Sequence, residues 1–105
     1  MAYTVNKLAK LSGVSARCLH FYDEIGLLKP AYLRDNNYRY YEEEQLLRLQ
    51  QILFYRELGF PLSEIQRIVG SDSFDKIEAL QSHKRILEQG LDRTHQMIKT
   101  IDKTI

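Results

Sequence analysis

SGVSARCLHFYD, residues Ser12 to Asp23, is the stretch that decides the fold. Just upstream, Val5, Leu8 and Ala9 recur at helical spacing while Asn6, Lys7 and Lys10 fall on the opposite, wetted face, so a first short helix ends near Leu11. Ser12 and Gly13 break that pattern: Gly accepts the positive φ of a tight turn, and Ser offers its hydroxyl to the backbone. Val14 then plugs into the core beside Leu8, and Ser15 suits the N-cap of a second helix. Two helices joined by so short a turn form a helix-turn-helix. On the second, Leu19 with Tyr22 or Asp23 lies on the core side, while Ser15, Ala16, Arg17, His20 and Phe21 take more exposed angles. Arg17 stands where a side chain entering a DNA groove would stand. The pattern is short, and a pair of core helices carrying one stray arginine has the same spacing.

Downstream, EIGLLKPAYLRDNNYRYY places Gly26, Pro30 and the triplet Asp35, Asn36, Asn37 between extended apolar-aromatic pieces. This reads as two short strands around a turn, a hairpin wing. Lys29, Arg34 and Arg39 decorate it, and Tyr38, Tyr40 and Tyr41 set phenols beside them, a mixture suited to phosphate and sugar contacts. Tyr40 reads as a half-buried packing residue; Arg39, flanked by two tyrosines, is the wing residue expected to meet a phosphate.

The chain has 105 residues and a net charge of +1, enough length for one modest core, with no apolar run able to span a bilayer and no signal-peptide pattern. A cytoplasmic protein is expected, with no membrane partner. The weak net charge hides a segregation. Up to Tyr40 there are six Lys or Arg against three acids, from Tyr41 to Asp75 three against seven, and in the last thirty residues six against four. The positive field therefore belongs to the helix-turn-helix and wing. The single cysteine, Cys18, lacks a disulfide partner and any Cys or His at metal-ligand spacing, and reads as a small packing residue. His83 and His95 read as solvated. No Ser/His/Asp set, carboxylate pair or Gly-rich phosphate loop is present, so neither an enzyme nor a bound metal or cofactor is expected.

Past the wing, Glu42, Glu43 and Glu44 open a helix at the end where acids suit the macrodipole, and Leu46, Leu47, Leu49, Ile52, Leu53 and Leu58 supply a broad apolar face. Gly59 stops it, Phe60 and Pro61 turn the chain, and LSEIQRIVG makes a further helix with Leu62, Ile65, Ile68 and Val69 inward. Connecting loops are expected to carry Arg56 and Arg67, with residues 70–73 as a second, smaller wing. From residue 74 on, Ile77, Leu80, Leu87, Leu91, Ile98, Ile101 and Ile105 keep the alternating three-four spacing of a coiled-coil stripe, interrupted at Lys84 and Thr94. At about 1.5 Å per residue this is a rod of roughly 45 Å, too long to hide its stripe against one small domain. A second copy, paired antiparallel, would cover it. Gly90 weakens such a rod by roughly 1 kcal/mol relative to Ala. The expected architecture is mainly α: a winged helix-turn-helix over 1–73 and a dimerisation helix over 74–105.

TVNKLAKLSGVSARCLHFYDEIGLLKP, then NYRYY, then LQQILFYRELGFPLSEI, in that order and ahead of a coiled-coil helix, resembles the N-terminal DNA-binding part of the MerR family of bacterial transcription regulators. The resemblance covers essentially the whole chain, and the middle and tail look most like the branch of drug-responsive activators typified by Mta and TipA. It implies a homodimer that binds a palindromic promoter whose two polymerase-recognition elements lie too far apart, then bends and untwists the spacer so that RNA polymerase engages both. Carried onto this sequence, Ser15, Arg17, His20 and Tyr22 match the recognition helix, Tyr38 and Arg39 the wing, and Arg56 the phosphate-contacting end of the next helix. The family normally adds an effector domain after the coiled coil; this sequence stops at Ile105 without one, so a small-molecule effector enters only with such a further module. Metal-sensing relatives carry cysteines around the dimer helix, where this chain has Ser73 and Asp75. Two other classes remain open: a non-activating architectural factor of the excisionase type, and a coiled-coil adaptor that binds no DNA.

Overall fold

A computed structural model describes residues 2–105, the side chain of Phe74 excepted. The chain runs β1 (Tyr3–Thr4), α1 (Val5–Ser12), α2 (Ala16–Glu24), β2 (Tyr32–Leu33), β3 (Arg39–Tyr41), α3 (Glu43–Glu57), α4 (Leu62–Val69) and α5 (Ser73–Thr104). It divides into two compact units, residues 1–69 and 70–105.

In the first unit each helix begins and ends for a local reason. Thr4 caps α1, its hydroxyl accepting the Lys7 amide at 3.2 Å, and Gly13 closes it in the left-handed region at φ 71. Ser15 caps α2, accepting the Cys18 amide at 3.0 Å. For α3, the Glu42 amide donates to Gln45 Oε1 at 2.8 Å, so the acidic run works as a helix start. The helix ends at Glu57, ahead of Gly59 at φ 88. Leu8, Leu19, Tyr22, Leu27, Leu28, Tyr41, Leu49, Ile52, Ile65 and Ile68 are essentially fully buried and form the core. Each of the leucines contributes about 1.5–3 kcal/mol by leaving water. The linker after α2 is pinned to this core: Arg48 Nε donates to the Leu27 carbonyl at 3.3 Å and Gln66 Nε2 to that of Ile25 at 3.1 Å.

The wing forms as the sequence suggests, with one addition. β3 is the central strand of a three-stranded antiparallel sheet, ordered β1-β3-β2, with Tyr3 opposite Tyr41 and Tyr32 opposite Tyr40. Its hairpin turn is closed by the Arg34 amide on the Tyr38 carbonyl (3.1 Å), with Asn37 at φ 62. β1 is two residues long and carries no alternation from which it could be read.

Three expectations fail here. The apolar pattern puts Leu47 on the inward face of α3, yet it is 52% exposed; the buried line runs through Leu49, Ile52 and Tyr55, a three-residue step that leaves Leu47 outside. Arg56 and Arg67 lie in the last turns of α3 and α4 rather than in loops. Residues 70–73 form no strand and no second wing: Asp72 caps α5, accepting the Asp75 amide at 2.9 Å.

The second unit is α5, 32 residues of helix. Ile77, Leu87, Leu91, Ile98 and Ile101 are each half or more exposed, Ile105 is almost wholly so, and Leu80 is half-buried. The stripe lies on one helix face, as its spacing requires. His95 is exposed, whereas His83 is half-buried, a departure from the solvated reading. Near mid-helix the Thr94 hydroxyl donates to the Gly90 carbonyl at 2.9 Å. The chain is 69% helical, twice the share of an average globular domain.

Candidate nucleic-acid interface

α2 presents its outer face between two clefts, and all seven residues expected to meet DNA line one or the other, six of them from exposed or half-exposed positions. The first cleft, about 320 Å³, is lined by Thr4, Val5, Asn6, His20, Asn37, Tyr38 and Arg39, bringing the middle of α2 beside the wing. The second, on the other flank of the helix, is lined by Ser15, Arg17, Cys18, Phe21, Tyr22, Arg56 and Leu62. Helical geometry makes this possible: Arg17 and Phe21 are four apart and share one flank, while His20 is turned about 100° from Phe21 toward the other.

Each expected residue has a definite place. Arg17 and His20 are exposed on α2, and among the described residues neither forms an ion pair. Ser15 is exposed, but its hydroxyl is engaged in capping. Tyr38 is 64% exposed at the wing tip. Arg56 is exposed and its Nη1 donates to the Tyr22 hydroxyl at 2.7 Å. Tyr22 itself is 1% exposed, so its ring belongs to the core and cannot reach a base or phosphate; the angle that made it a core candidate prevails over its place in the family motif. Its hydroxyl instead anchors Arg56 to α2. Burial and the neighbouring Cys18 thiol push the Tyr22 phenol above its ordinary range against the pull of the Arg56 guanidinium, so it stays protonated and available to accept from Arg56.

Arg39 is more committed than its sequence context suggests. Its Nε donates to Asp23 Oδ2 at 2.7 Å, while Lys29 Nζ stands 3.4 Å from Oδ1 of the same carboxylate. Burial would raise the Asp23 carboxyl, but hydrogen bonds and charges from Arg39 and Lys29 outweigh it and hold the group below its ordinary 3.8. Strand alternation explains the pairing: Arg39 and Tyr41 share the face of β3 turned to the body, and Tyr40 takes the opposite face. There Tyr40 stacks on Tyr32 with ring centroids 5.5 Å apart, and the Arg34 guanidinium lies over both rings at 5.1 and 5.9 Å.

Asn37, Phe21 and Asp23 therefore border this surface although the sequence marks none of them as a DNA contact, while Arg34, one of the cations expected on the wing, lies over the Tyr32 and Tyr40 rings. The period-two alternation of β3 was the available signal for Arg34, whose partner rings Tyr32 and Tyr40 are paired across the hairpin. Asn37 was legible as a turn residue that tolerates positive φ.

A surface of this kind, an exposed helix face flanked by a wing and by the end of a following helix, has close counterparts. The profile "MerR HTH family regulatory protein" matches residues 3–71, and "MerR, DNA binding" matches residues 46–104. The chain is 50% identical over 105 residues to the HTH-type transcriptional activator mta of Bacillus subtilis, covering 100% of this chain and 41% of that protein. It is 37% identical over 105 residues to the HTH-type transcriptional activator TipA of Streptomyces coelicolor, covering 100% and 42%. It thus spans about two fifths of the length of these relatives. Among solved structures, the crystal structure of MtaN, the N-terminus of the B. subtilis multidrug transporter activator, superposes with a TM-score of 0.92 at 50% identity, covering 97% of this chain and 96% of that one. An EcmrR–DNA complex in EcmrR-RPo superposes at 0.66 with 32% identity, covering 96% of this chain and 40% of that one. With profile matches that together run from residue 3 to residue 104 over this helix-turn-helix and wing, the chain belongs to the MerR family of helix-turn-helix regulatory proteins.

Proposed function

We propose that the chain is a sequence-specific transcription activator that binds double-stranded promoter DNA as a homodimer, with α2 in the major groove. The observation that carries this reading is the convergence of Arg17 and His20 on the open face of α2, flanked by Arg56 on one side and Arg39 with Tyr38 on the other. One helix face then reads base edges while its flanks hold phosphates on both strands. Arg17 is the base-edge candidate; Arg56, Arg39 and Tyr38 are the backbone contacts. The exposed stripe of α5 supplies the pairing surface through Ile77, Leu80, Leu87, Leu91, Ile98 and Ile101, and an antiparallel pair gives the two copies the symmetry of an inverted repeat. Bending and untwisting of the promoter spacer, so that RNA polymerase engages both of its elements, is the activating step, and the site of action is the bacterial nucleoid in the cytoplasm. Two relatives carry the name activator, and the EcmrR structure is a complex with DNA, which supports the same assignment.

The test is retardation of duplexes selected from a random pool. Each phosphate neutralised contributes about −0.9 to the slope of log K against log salt, so a dimer gripping several gives a steep line. Arg17→Ala is expected to cost about 1–3 kcal/mol of discrimination at one base position and to leave that slope nearly unchanged. A chain that enriches no inverted repeat refutes the assignment.

A further inference from the structure

Asp23 occupies a position that elementary electrostatics argues against. It is the penultimate residue of α2, where the negative end of the helix macrodipole disfavours an acid, and it lies on the face that approaches a polyanion. Its place there calls for compensating interactions. The Cα atoms of α2 stay more than 8 Å from those of β2 and β3, so the helix and the wing strands do not pack backbone to backbone. Side chains bridge the gap, and Asp23, with 16% of its side chain exposed, holds one cation on each oxygen: Arg39 at 2.7 Å and Lys29 at 3.4 Å. Arg39 is gripped through Nε. Among the described residues neither of its terminal amino groups forms a hydrogen bond, and the side chain, 29% exposed, lines both the first cleft and a further one bordered by Asp23, Lys29, Pro30, Tyr32, Leu33 and Asn37.

We propose that Asp23 is the positioning residue of the duplex-binding face, a clasp that holds Arg39 by Nε so that its terminal amino groups meet a phosphate at a fixed distance from Arg17 and His20. The inference rests on the duplex-binding reading and adds that Asp23 governs discrimination between sequences rather than overall attraction. With the clasp intact, the wing registers on the backbone only where α2 is seated on its bases. Without it, Arg39 and Lys29 swing free and grip any phosphate within reach.

The experiment compares Asp23→Ala with the unaltered chain on two duplexes: one selected from a random pool by the unaltered chain, and a scrambled duplex of the same length. Loss of one negative charge is expected to tighten scrambled binding about threefold, while selected binding weakens about tenfold, so the ratio of the two collapses. Asp23→Glu, which restores a carboxylate, is expected to recover most of the ratio. In an Arg39→Met background, removing Asp23 is expected to raise both affinities together, because nothing remains to be positioned. A parallel rise in the Arg39 background would show Asp23 to be a repulsive charge and nothing more. A parallel fall that tracks lost thermal stability would show a structural role, and should Asp23→Ala not fold, Asp23→Asn is scored by the same ratio. Failure of the unaltered chain to select any duplex would overturn the duplex-binding reading itself, before any variant is made.

Discussion

Residue by residue, the interface is held up by polar groups that never need to touch a ligand. Asp23 carries a sign that can be checked. Its carboxyl titrates below the ordinary 3.8, so the stability it lends is present above that value and is lost as pH falls through its lowered pKa. The gap in unfolding free energy between the unaltered chain and Asp23→Asn should stay flat from neutrality down to about pH 5 and close only in stronger acid, as measured by urea titrations at stepped pH. Tyr41 presents the opposite situation. It is fully buried, its hydroxyl has no hydrogen-bond partner among the described residues, and burial together with the charge of Asp23 raises its phenol above the ordinary 10.0 against the pull of Arg39. Tyr41→Phe removes an unsatisfied oxygen and keeps the ring, so the unfolding midpoint should rise, corresponding to about 1 kcal/mol.

Among the elements, α2 is a short helix, nine residues with no acid in its first turn and no base in its last. Its start depends on Ser15. Ser15→Ala should destabilise the unit by about 1 kcal/mol, lowering the melting temperature, while duplex affinity of the folded fraction stays close to that of the unaltered chain, since the hydroxyl is spent on the Cys18 amide. The same element shows what the sequence could disclose. The turn at Gly13, the cap at Ser15 and the burial of Leu19 were legible because each follows from one residue's own stereochemistry or from helical period. The exposed Leu47 and the buried Tyr55 on α3 were not: the segment from Leu46 to Tyr55 sets seven apolar residues around Arg48, Gln50 and Gln51, which allows more than one face, and packing against α1, β3 and α4 selects one. The clasp between Asp23 and Arg39 was hidden for another reason. The partners are sixteen residues apart across a turn, a linker and a strand, and no local periodicity relates them. Tyr22 was legible twice, as a core angle and as a motif position, and burial decides between the two.

For the whole molecule, oligomerisation is where sequence pattern and exposure agree most closely. A soluble helix seldom leaves isoleucine and leucine uncovered at regular intervals over seven turns, and the resulting ribbon is the pairing surface of the dimer proposed above. Leu87→Asp sets a charge in the middle of that ribbon and should convert a dimer in sedimentation velocity to a monomer, with loss of binding to inverted repeats and retention of helical signal from the first unit. An unchanged sedimentation coefficient would locate the seam elsewhere. Gly90 and Thr94 give the ribbon a further property. A Cβ at position 90 would meet nothing of its own chain within 4 Å, so packing within the chain does not dictate the glycine, and the hydroxyl drawn back onto its carbonyl loosens the same turn. Two helices crossing antiparallel at that turn would share one hinge. Torque taken up by a distorted duplex at either end would then be absorbed at the centre as elastic flexure, and the assembly would behave as a sprung caliper rather than as a rigid ruler.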